Sequence, residues 1–453
     1  MRRLALLVAF LAAAPAVAQQ VAPDPELVEE GRYLAVAADC AGCHGTTFAG
    51  GDPVPSPIGA IYASNITPDP ATGIGGWTLE DFAGVLREGD GPDGHIYPAM
   101  PYTSYTGLAD REIAALWSFF MLDVEPVERT HPDTDLGFPF YRWLMPAWNL
   151  LFLDEGEATG AKPAASPLEE RGRELVETLG HCGACHTPRG QLMQQLADRH
   201  LGGAMLGGWW APNITTGPGG VGDWEDEELA RFLATGHSPH GVAGGEMGTV
   251  VSRSLSHLPE GDIAAIVAYL RAVPPVASDR PAALAGGRPP PVAVEVPADD
   301  WAGALRHDTD FGAQLYQAAC SSCHGIDGRG SPDGVHPSLL LVTGQDANAA
   351  NLVQVIAHGI DRTVHGERIL MPGFRDAMSD EQIASVANYV RTSFGGAASD
   401  LDAGRVSSIL AGGLSTPWLI SNAPWLAGLG LAAAGIVLLL LIVWLIRRPR
   451  RRA

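Results

Sequence analysis

Three short stretches of the sequence pair two cysteines with a histidine at the spacing that covalent haem attachment requires. Each is spelled Cys-x-x-Cys-His, and they occupy residues 40–44, 182–186 and 320–324. In c-type haem sites both thiols bond to the haem vinyl groups and the histidine binds the iron. We therefore predict three covalently bound haem c groups, attached through Cys40, Cys43, Cys182, Cys185, Cys320 and Cys323. The predicted iron ligands on the histidine side are His44, His186 and His324.

Other uses of such a motif are a redox-active cysteine pair or half of a zinc site. Neither explains why each copy ends in histidine, or why all six cysteines of the chain lie in the three motifs. This use of every cysteine also leaves none for a structural disulfide. After the second motif, Arg189 is expected either to pair with a haem propionate or to be exposed.

The motifs belong to a longer internal repeat. A stretch with the pattern Gly-x-x-Leu precedes each motif, and an amphipathic helix that reaches an aromatic residue closes each repeat, at Phe119, Tyr269 and Tyr389. A small glycine on the first helix lets the closing helix cross it closely. Helix, motif, loop and closing helix resemble the c-type cytochrome fold. The expected fold is all-α, with three tandem class I cytochrome c-type haem domains and one C-terminal transmembrane helix.

Each repeat offers a methionine for the other face of the iron. Met100 and Met371 precede proline, which keeps them out of a helix and in an extended loop. A thioether ligand raises the potential of a c-type haem and suits it to carrying electrons. Met247 of the second repeat lacks the proline, so that assignment is the least secure of the three. The alternatives in the second repeat are Met205, His237 and His240.

Both ends of the chain indicate export and membrane attachment. Residues 1–18 have a short basic start, an apolar core and an Ala-x-Ala site, which is typical of a secretory signal peptide. Residues 425–446 carry no charge and are long enough to span a bilayer, and an arginine-rich tail follows at 447–453. The positive-inside rule places that tail in the cytoplasm. We expect a single span in the bacterial inner membrane, with the haem domains in the periplasm.

Boundaries between the parts fall in stretches rich in proline and glycine. The predicted haem domains cover residues 25–130, 166–273 and 301–396. The segments between and after them are a connector at 131–165, a proline-rich linker at 274–300 and a linker at 397–424 that looks mobile.

Composition and missing motifs exclude several functions. The formal net charge of -22 excludes nucleic acid as a partner. The sequence has no dinucleotide fingerprint, P-loop, His-Glu-x-x-His or Gly-x-Ser-x-Gly motif. We therefore predict no substrate-converting catalytic site of its own.

Four stretches resemble one family closely: YPAMPYTSY at 97–105, RWLMPAWNLLF at 142–152, the stretch at 170–189, and the stretch at 371–396. They are similar to triheme cytochrome c subunits of membrane-bound periplasmic dehydrogenases, which include alcohol, gluconate, sorbitol and fructose dehydrogenases. The connector stretch is the most specific, because generic haem domains do not need it.

The resemblance implies an electron-transfer subunit. It would take electrons from a dehydrogenase catalytic subunit of quinoprotein, flavoprotein or molybdenum type, alone or with a small third subunit. It would pass them to ubiquinone or another respiratory acceptor, such as a cytochrome or an oxidase. Two alternatives stay open at this point: a multihaem c-type enzyme with an open iron site, and a carrier docked to a terminal oxidase.

Overall fold

The computed structural model describes residues 24–56, 58–156, 162–277, 311–331, 335–341, 349–412 and 416–447. The predicted signal peptide, most of the proline-rich linker and the arginine tail beyond Arg447 lie outside the described residues.

Helices recur in the same order around each motif. The first repeat contains α1 Pro25–Ala37, α2 Cys40–His44, α3 Leu79–Glu88, α4 Tyr102–Tyr105 and α5 Asp110–Leu122. The connector contains a 3₁₀ turn, Arg142–Leu144, and the helix α6 Met145–Phe152. The second repeat contains α7 Pro167–Arg173, a π-helical stretch Glu174–Leu179, α8 Gly183–His186, α9 Asp226–Thr235, α10 Gly245–Arg253 and α11 Glu260–Ala272. The third contains α12 Phe311–Ala319, α13 Ser321–His324, α14 Ala350–His358 and α15 Asp380–Ser393. The chain then forms α16 Ala403–Leu410 and α17 Trp418–Arg447.

The structure also contains antiparallel ribbons of two strands each, so the all-α prediction is incomplete. The pairs are β1 Pro53–Ser56 with β2 Gly59–Tyr62, β3 Ala204–Leu206 with β4 Trp209–Ala211, β5 His237–Ser238 with β6 Gly241–Val242, and β7 Ile360–Val364 with β8 Glu367–Met371. Strands of two to five residues are too short to show a clear alternation of apolar and polar residues. The described chain is therefore mainly helical, with ribbons in the loops between the motif and the closing helix.

Each closing helix crosses the helix before the motif at a glycine, as predicted. A Cβ atom on Gly31 would lie 1.9 Å from the backbone oxygen of Ala115, and one on Gly172 would lie 2.0 Å from that of Ala265. In the third repeat the corresponding distance, from Gly312 to a backbone oxygen of α15, is 2.2 Å. Any side chain at these positions would collide with the facing backbone, so the close crossing requires glycine.

Local sequence signals define the closing helix of the third repeat well. The hydroxyl of Ser379 accepts from the backbone N–H of Gln382, whose side chain accepts from the N–H of Ser379. This capping box satisfies N–H groups that the first helical turn cannot pair. Ile383, Val386 and Val390 follow on one buried face. The helix therefore begins where the sequence provides its cap and is held by its apolar side.

Two main cores account for most of the packing in the described residues. The first is shared by the first and second repeats and includes Leu116, Phe119, Ile263 and Tyr269. The second lies in the third repeat and includes residues of α12, α14 and α15. Since the first two repeats share one core, they form one packed unit rather than two separate bodies.

The linker at 397–424 is partly structured, which corrects the expectation that it is mobile. Within it, α16 contributes Val406 and Ile409, both 0% exposed, to the core of the third repeat. The carboxylate of Asp402 caps this helix by accepting from the N–H of Arg405 at 2.7 Å. The side-chain amide of Gln354 donates to the carbonyl of Ile409 at 3.3 Å. This segment is thus part of the third repeat.

The apolar C-terminal helix, α17, is longer than predicted. It begins at Trp418, seven residues before the predicted start at Trp425, and it contains Pro424. Among the described residues it is the one helix long and apolar enough to cross a membrane, and none of its most apolar stretch is buried within the protein. Its 30 residues span about 45 Å at the rise of an α-helix.

Candidate haem sites

Each motif forms a short helix that presents both of its thiols. The three helices are α2, α8 and α13, which contain or directly follow the first cysteine. Two residues three positions apart lie on the same face of a helix, so each pair of thiols faces the same side. All six cysteines are free, and Cys43 and Cys323 are exposed. The paired thiols are therefore available to bond to one haem at each motif.

The motif histidines all make the same backbone contact. Nδ1 of His44 lies 2.7 Å from the carbonyl oxygen of Ser64, and Nδ1 of His186 lies 2.6 Å from that of Pro212. In the third repeat, Nδ1 of His324 lies 3.0 Å from a carbonyl oxygen in the loop after the motif. A carbonyl can only accept, so Nδ1 carries the proton and donates. This leaves the lone pair of Nε2 free to bind iron, the arrangement found in metal-binding histidines.

Electrostatics favour the neutral, ligand form of these rings. Burial lowers the pKa of His44, His186 and His324, while the carbonyl contact raises it in part. A neutral imidazole is the form that binds a metal. The donor set of two thiols and one oriented imidazole therefore fits a covalent haem at each motif. Among the described residues, no group of three or more histidine, cysteine, aspartate or glutamate side chains is arranged as a separate metal site.

An asparagine fixes the loop that supplies the carbonyl in the first repeat. Oδ1 of Asn65 accepts from the N–H and the hydroxyl of Thr67, at 3.0 and 2.8 Å. Its amide donates to the carbonyl of Val127 at 2.7 Å. The residue directly before this asparagine is Ser64, whose carbonyl holds His44. The buried asparagine thus positions the histidine's hydrogen-bond acceptor.

The second repeat uses the same device. Oδ1 of Asn213 accepts from the N–H and hydroxyl of Thr215, both at 2.8 Å, and its amide donates to the carbonyl of Val276 at 2.6 Å. Pro212, directly before it, supplies the carbonyl to His186. In the third repeat, the carbonyl of Pro337 accepts the hydrogen bond from Nδ1 of His324. The tripeptide Asn-Ile-Thr occurs in the first two repeats, but its role could not be predicted, because the motif histidine lies 21 residues away in the first repeat and 27 in the second.

The structure places Met100 in a loop held by the connector. The side chain is half-buried against the core shared by the first two repeats. The hydroxyl of Tyr97 donates to the carbonyl of Phe140 at 2.7 Å, and that of Tyr102 donates to Oδ1 of Asn149 at 2.8 Å. The loop is thus tied on both sides of the methionine. Its predicted role as an iron ligand remains a prediction.

Met371 lies in a strand rather than in a loop. It is the last residue of β8 and pairs with Ile360, the first residue of β7. The backbone is extended there, as the following proline predicts, and the side chain is half-buried. Gly359 lies against the carbonyl of Met371, where an added Cβ would be 2.3 Å away. The site is therefore tightly packed, and ligation of iron by Met371 stays a prediction.

Met247 lies in a helix, unlike Met100 and Met371. It is the third residue of α10 and packs against the shared core and against a small cluster that includes Val251. Of its competitors, His240 has another role: its Nε2 lies 2.9 Å from Oε2 of Glu228, and its ring stacks on Trp224 at 4.2 Å. Met205 packs against the core of the third repeat, and His237 is half-buried in β5. Met247 remains the predicted ligand of the second haem.

Arg189 binds the second motif itself. Its Nη2 donates to the carbonyl of Ala184 at 2.7 Å, and its Nη1 donates to the carbonyl of Met193 at 3.3 Å. Burial lowers the pKa of this guanidinium. The side chain is half-buried, so the expectation of an exposed arginine is wrong. It supports the motif helix by pairing a carbonyl within it.

A buried polar network lies beside the second motif and was not predicted from the sequence. The carboxylate of Glu177 accepts from Nε2 of His200 and from the hydroxyl of Tyr269, both at 2.8 Å. Thr187, which follows the motif histidine, is fully buried, and its hydroxyl accepts from the N–H of Leu201 at 3.0 Å. The one available signal was a glutamate within the otherwise apolar stretch that precedes the motif.

The first and second motifs lie against each other. The ring of His181, directly before Cys182, meets the ring of Tyr105 edge-on at 5.6 Å between centroids. The hydroxyl of Tyr105 donates to the carbonyl of Ala38, two residues before Cys40. Contact between the starts of both motifs brings their haem attachment points together. Such proximity is what electron transfer between two haems requires.

The second repeat also contacts the first motif through α10. Nη1 of Arg253, at the end of that helix, donates to the carbonyl of Ala41 at 2.7 Å. The hydroxyl of Ser254 donates to the carbonyl of Ala37 at 3.4 Å. The helix that carries Met247 thus reaches the attachment helix of the neighbouring site, which adds a second connection between the two sites.

Comparison with known proteins agrees with this architecture. Residues 28–121 and 169–274 match the family model described as cytochrome c, and residues 307–390 match the model described as cytochrome c oxidase, cbb3-type, subunit III. The chain is 40% identical to the fructose dehydrogenase cytochrome subunit of Gluconobacter japonicus, over 94% of this chain and 92% of the relative.

Two further relatives have related names. One is the gluconate 2-dehydrogenase cytochrome c subunit of Pantoea cypripedii, with 37% identity over 84% of this chain and 89% of the relative. Another is the cytochrome c subunit of alcohol dehydrogenase (quinone) from Gluconacetobacter polyoxogenes, with 36% identity over 85% of this chain and 84% of the relative. All three are similar to the present chain over most of both lengths.

Proposed function

Since the chain belongs to the family of cytochrome c subunits of membrane-bound dehydrogenases, we propose that it is a membrane-anchored triheme cytochrome c. In this role it relays electrons from a dehydrogenase catalytic subunit to a respiratory acceptor. The relay uses one-electron steps and needs no substrate-converting site in this chain.

The observation that carries the proposal is the equivalence of the three motifs. In each, two free thiols face one side of a short helix, and the adjacent histidine donates through Nδ1 to a backbone carbonyl. A single such arrangement would be compatible with a monohaem protein. Three of them, two joined in one core, support a chain of haems along which an electron passes.

Bound haem supplies the exchange of one electron between Fe(II) and Fe(III). The chain's own residues do the rest. The cysteines fix each macrocycle in place, and the histidines present Nε2 to one face of the iron. The surrounding apolar cores exclude water and so influence the potential. We assign the iron ligand pairs as His44 with Met100, His186 with Met247, and His324 with Met371.

The proposed location is the periplasmic side of a bacterial inner membrane. The helix α17 is the candidate span, and the arginine-rich residues after it favour a cytoplasmic C-terminus. The repeats precede α17 and therefore lie on the opposite side. The signal-like residues 1–18 support export of this part.

The proposed electron donor is a catalytic subunit of quinoprotein, flavoprotein or molybdenum type, alone or together with a small third subunit. The names of the relatives support a dehydrogenase as donor. The proposed acceptor is ubiquinone in the membrane or another respiratory acceptor. A multihaem enzyme with an open iron site would differ in iron ligation. A carrier docked to a terminal oxidase would differ in its partner.

Two measurements test the proposal. A haem assay on the purified full-length chain should give three haems per polypeptide, all retained after denaturation because they are covalent. Gentle solubilisation of membranes should recover the chain together with a dehydrogenase subunit whose substrate reduces the haems. Fewer than three haems, recovery of oxidase subunits alone, or a ferrous haem that binds carbon monoxide at once would each contradict this function.

A further inference from the structure

The connector helix exposes an apolar face to its surroundings. Counting from Trp143, the exposed positions recur at helical spacing along the 3₁₀ turn and α6. Trp143 is 71% exposed, Leu150 is 86% exposed and Leu151 is 68% exposed. Pro146 and Ala147 are also exposed. A helix at a protein surface normally shows a polar side to water, whereas this one shows an apolar side.

The inward side of the same helix is held in place through its polar residue, Asn149. The amide of Asn149 donates to the carbonyl of Glu88 at 2.7 Å, and its Oδ1 accepts from the hydroxyl of Tyr102 at 2.8 Å. The guanidinium of Arg142 donates to the carbonyl of His95 at 2.8 Å. These bonds fix the rotation of α6, so its apolar face cannot turn inward. The face needs a partner outside the described chain.

The connector helix is linked to the first turn of α17 through one loop of the second repeat. The indole N–H of Trp148 donates to the carbonyl of Leu192 at 2.9 Å. The neighbouring residue, Gln191, accepts through Oε1 from the backbone N–H of Leu419 at 3.1 Å, in the first turn of α17. Leu192 is itself 43% exposed. One loop of the second repeat therefore joins α6 to α17.

The depth of that junction matches the membrane surface. The candidate span Trp418–Ile446 has 29 residues, which extend about 43 Å at the rise of an α-helix. A bilayer is about 40–45 Å thick when its headgroup regions are included. Leu419 lies at one end of this span. The loop at Gln191 and the connector beside it therefore lie at the level of the headgroups.

Composition also suits a lipid surface. No charged residue occurs from position 143 to 153. The rings of Tyr141 and Trp143 stack at 6.1 Å between centroids, and Tyr141 is 40% exposed. Tyrosine and tryptophan favour the boundary between headgroups and acyl chains, where leucine reaches the apolar layer.

We propose that the apolar face formed by Trp143, Leu150 and Leu151 lies in the headgroup region of the membrane that α17 crosses, as a second contact with lipid. This inference rests on the proposed membrane span. The inference extends the proposed span by assigning a second membrane contact to the connector, which lies about 270 residues earlier in the chain.

Site-directed spin labelling of the full-length holoprotein in phospholipid vesicles tests this contact. With all native thiols bonded to haem, Leu150→Cys provides one reactive thiol for a nitroxide. The haems are kept oxidised, since a reductant would also reduce the nitroxide, and each collision rate is taken as the increase over the same sample without the reagent. Leu438→Cys in the middle of α17 is the positive control, and Leu79→Cys, at an exposed position on α3, is the aqueous control. Labelling of the unsubstituted protein would instead contradict covalent attachment of the haems.

The quantity compared is the ratio of the nitroxide's collision rate with oxygen to its collision rate with a water-soluble nickel chelate. This ratio should be severalfold higher at position 150 than at position 79. The ratio should fall between those at positions 79 and 438. Free access of the nickel chelate to position 150 would overturn the inference while leaving the span intact. Shielding of position 150 from both reagents would overturn it in favour of a protein partner. An aqueous signal at position 438 would refute the span and this inference together.

Discussion

The hydroxyl of Tyr33, in the first repeat, donates to Oδ2 of Asp262, in the second, at 2.5 Å. Arg171 binds both groups: its Nε donates to Oδ1 of Asp262 at 2.9 Å and its Nη2 to the hydroxyl of Tyr33. This cluster lies beside the shared core and joins α1, α7 and α11. The two repeats are therefore linked by directional polar contacts as well as by apolar packing.

Substitution of Asp262 by asparagine should weaken this junction. Burial alone would raise the pKa of Asp262, but the hydrogen bonds from Arg171 and Tyr33 outweigh it and lower the pKa below its ordinary value. The ionised group thus stabilises the folded state above its unfolded pKa, and this stability is lost as pH falls through the lower, folded pKa. We expect Asp262→Asn to cost about 1 kcal/mol at pH 7, after solvent screening.

Denaturant unfolding at a series of pH values measures that effect. Glu260→Gln, two residues earlier on the exposed side of α11, is the matched control and should leave stability unchanged. Equal stability of the Asp262→Asn variant and the parent at neutral pH would show that the cluster contributes nothing to the junction.

Glu112 should give the junction the opposite pH dependence. Burial, followed by a hydrogen bond with Glu174 of the second repeat, raises the pKa of Glu112 to about 7. Folding therefore favours the neutral form of Glu112. The stability that the neutral form contributes is lost as pH rises from the ordinary pKa of a glutamate to the raised pKa of Glu112. We expect Glu112→Gln to stabilise the protein by on the order of 1 kcal/mol at pH 8 and by nothing at pH 4. Thermal unfolding of both proteins at the two pH values measures this, and a gain that is the same at both would contradict it.

The glycine crossing in the second repeat should not tolerate a methyl group. Gly172→Ala places a Cβ 2.0 Å from the carbonyl oxygen of Ala265 and 2.7 Å from Cβ of Tyr269. Two packed helices would have to separate, at a cost of about 3 kcal/mol or more. Gly261→Ala is the matched control, since no atom lies within 4 Å of its added Cβ. Urea unfolding should show a large loss for the first variant and none for the second; similar values for both would refute the close crossing.

Asn213 should control the carbonyl that holds His186. This buried side chain makes hydrogen bonds to Thr215 and Val276, and Asn213→Ala should cost about 1–3 kcal/mol of stability. The carbonyl of Pro212 would then be less well fixed, which weakens its hydrogen bond with Nδ1 of His186. Because His186 would donate less charge to the iron, the reduction potential of one haem should rise. Redox titration of the holoprotein measures this. Asn65→Ala should shift a different haem, and a shift of the same component by both variants would contradict the site assignment.

Met247 and Met205 can be distinguished by spectroscopy. If Met247 ligates the second haem, Met247→Leu should remove about one third of the methionine-ligation signal of the oxidised protein and lower one of three potentials. Met205→Leu, which keeps the side-chain volume, should leave both unchanged because Met205 packs against the third repeat. Loss of the signal in the Met205 variant, with no change in the Met247 variant, would reverse the assignment.

Sequence patterns predicted the parts of the fold that depend on local signals. The closing helices and the glycine crossings at Gly31 and Gly172 both follow from residues close together in the chain. The haem motifs fall in the same class, because their chemistry is contained in five consecutive residues.

Contacts between distant residues could not be predicted in this way. The pair Glu177 and His200 is separated by 23 residues and meets only because the loop after the motif folds back. The helical setting of Met247 depends on how α10 packs between two repeats. The docking of α16 was missed because its eight residues are too short for a clear helical period.

The attachment of α17 has a consequence for how this protein meets its acceptor. Only residues 411–417 separate α16 from α17, and Gln191 holds the first turn of α17 against the second repeat. If α17 spans the bilayer as proposed, this short connection and the Gln191 contact hold the three repeats close to the membrane, so that they cannot tumble freely above it. Encounters with an acceptor in the same membrane become a search in two dimensions with a restricted orientation. Lateral diffusion in the bilayer would then govern how often electrons leave the protein.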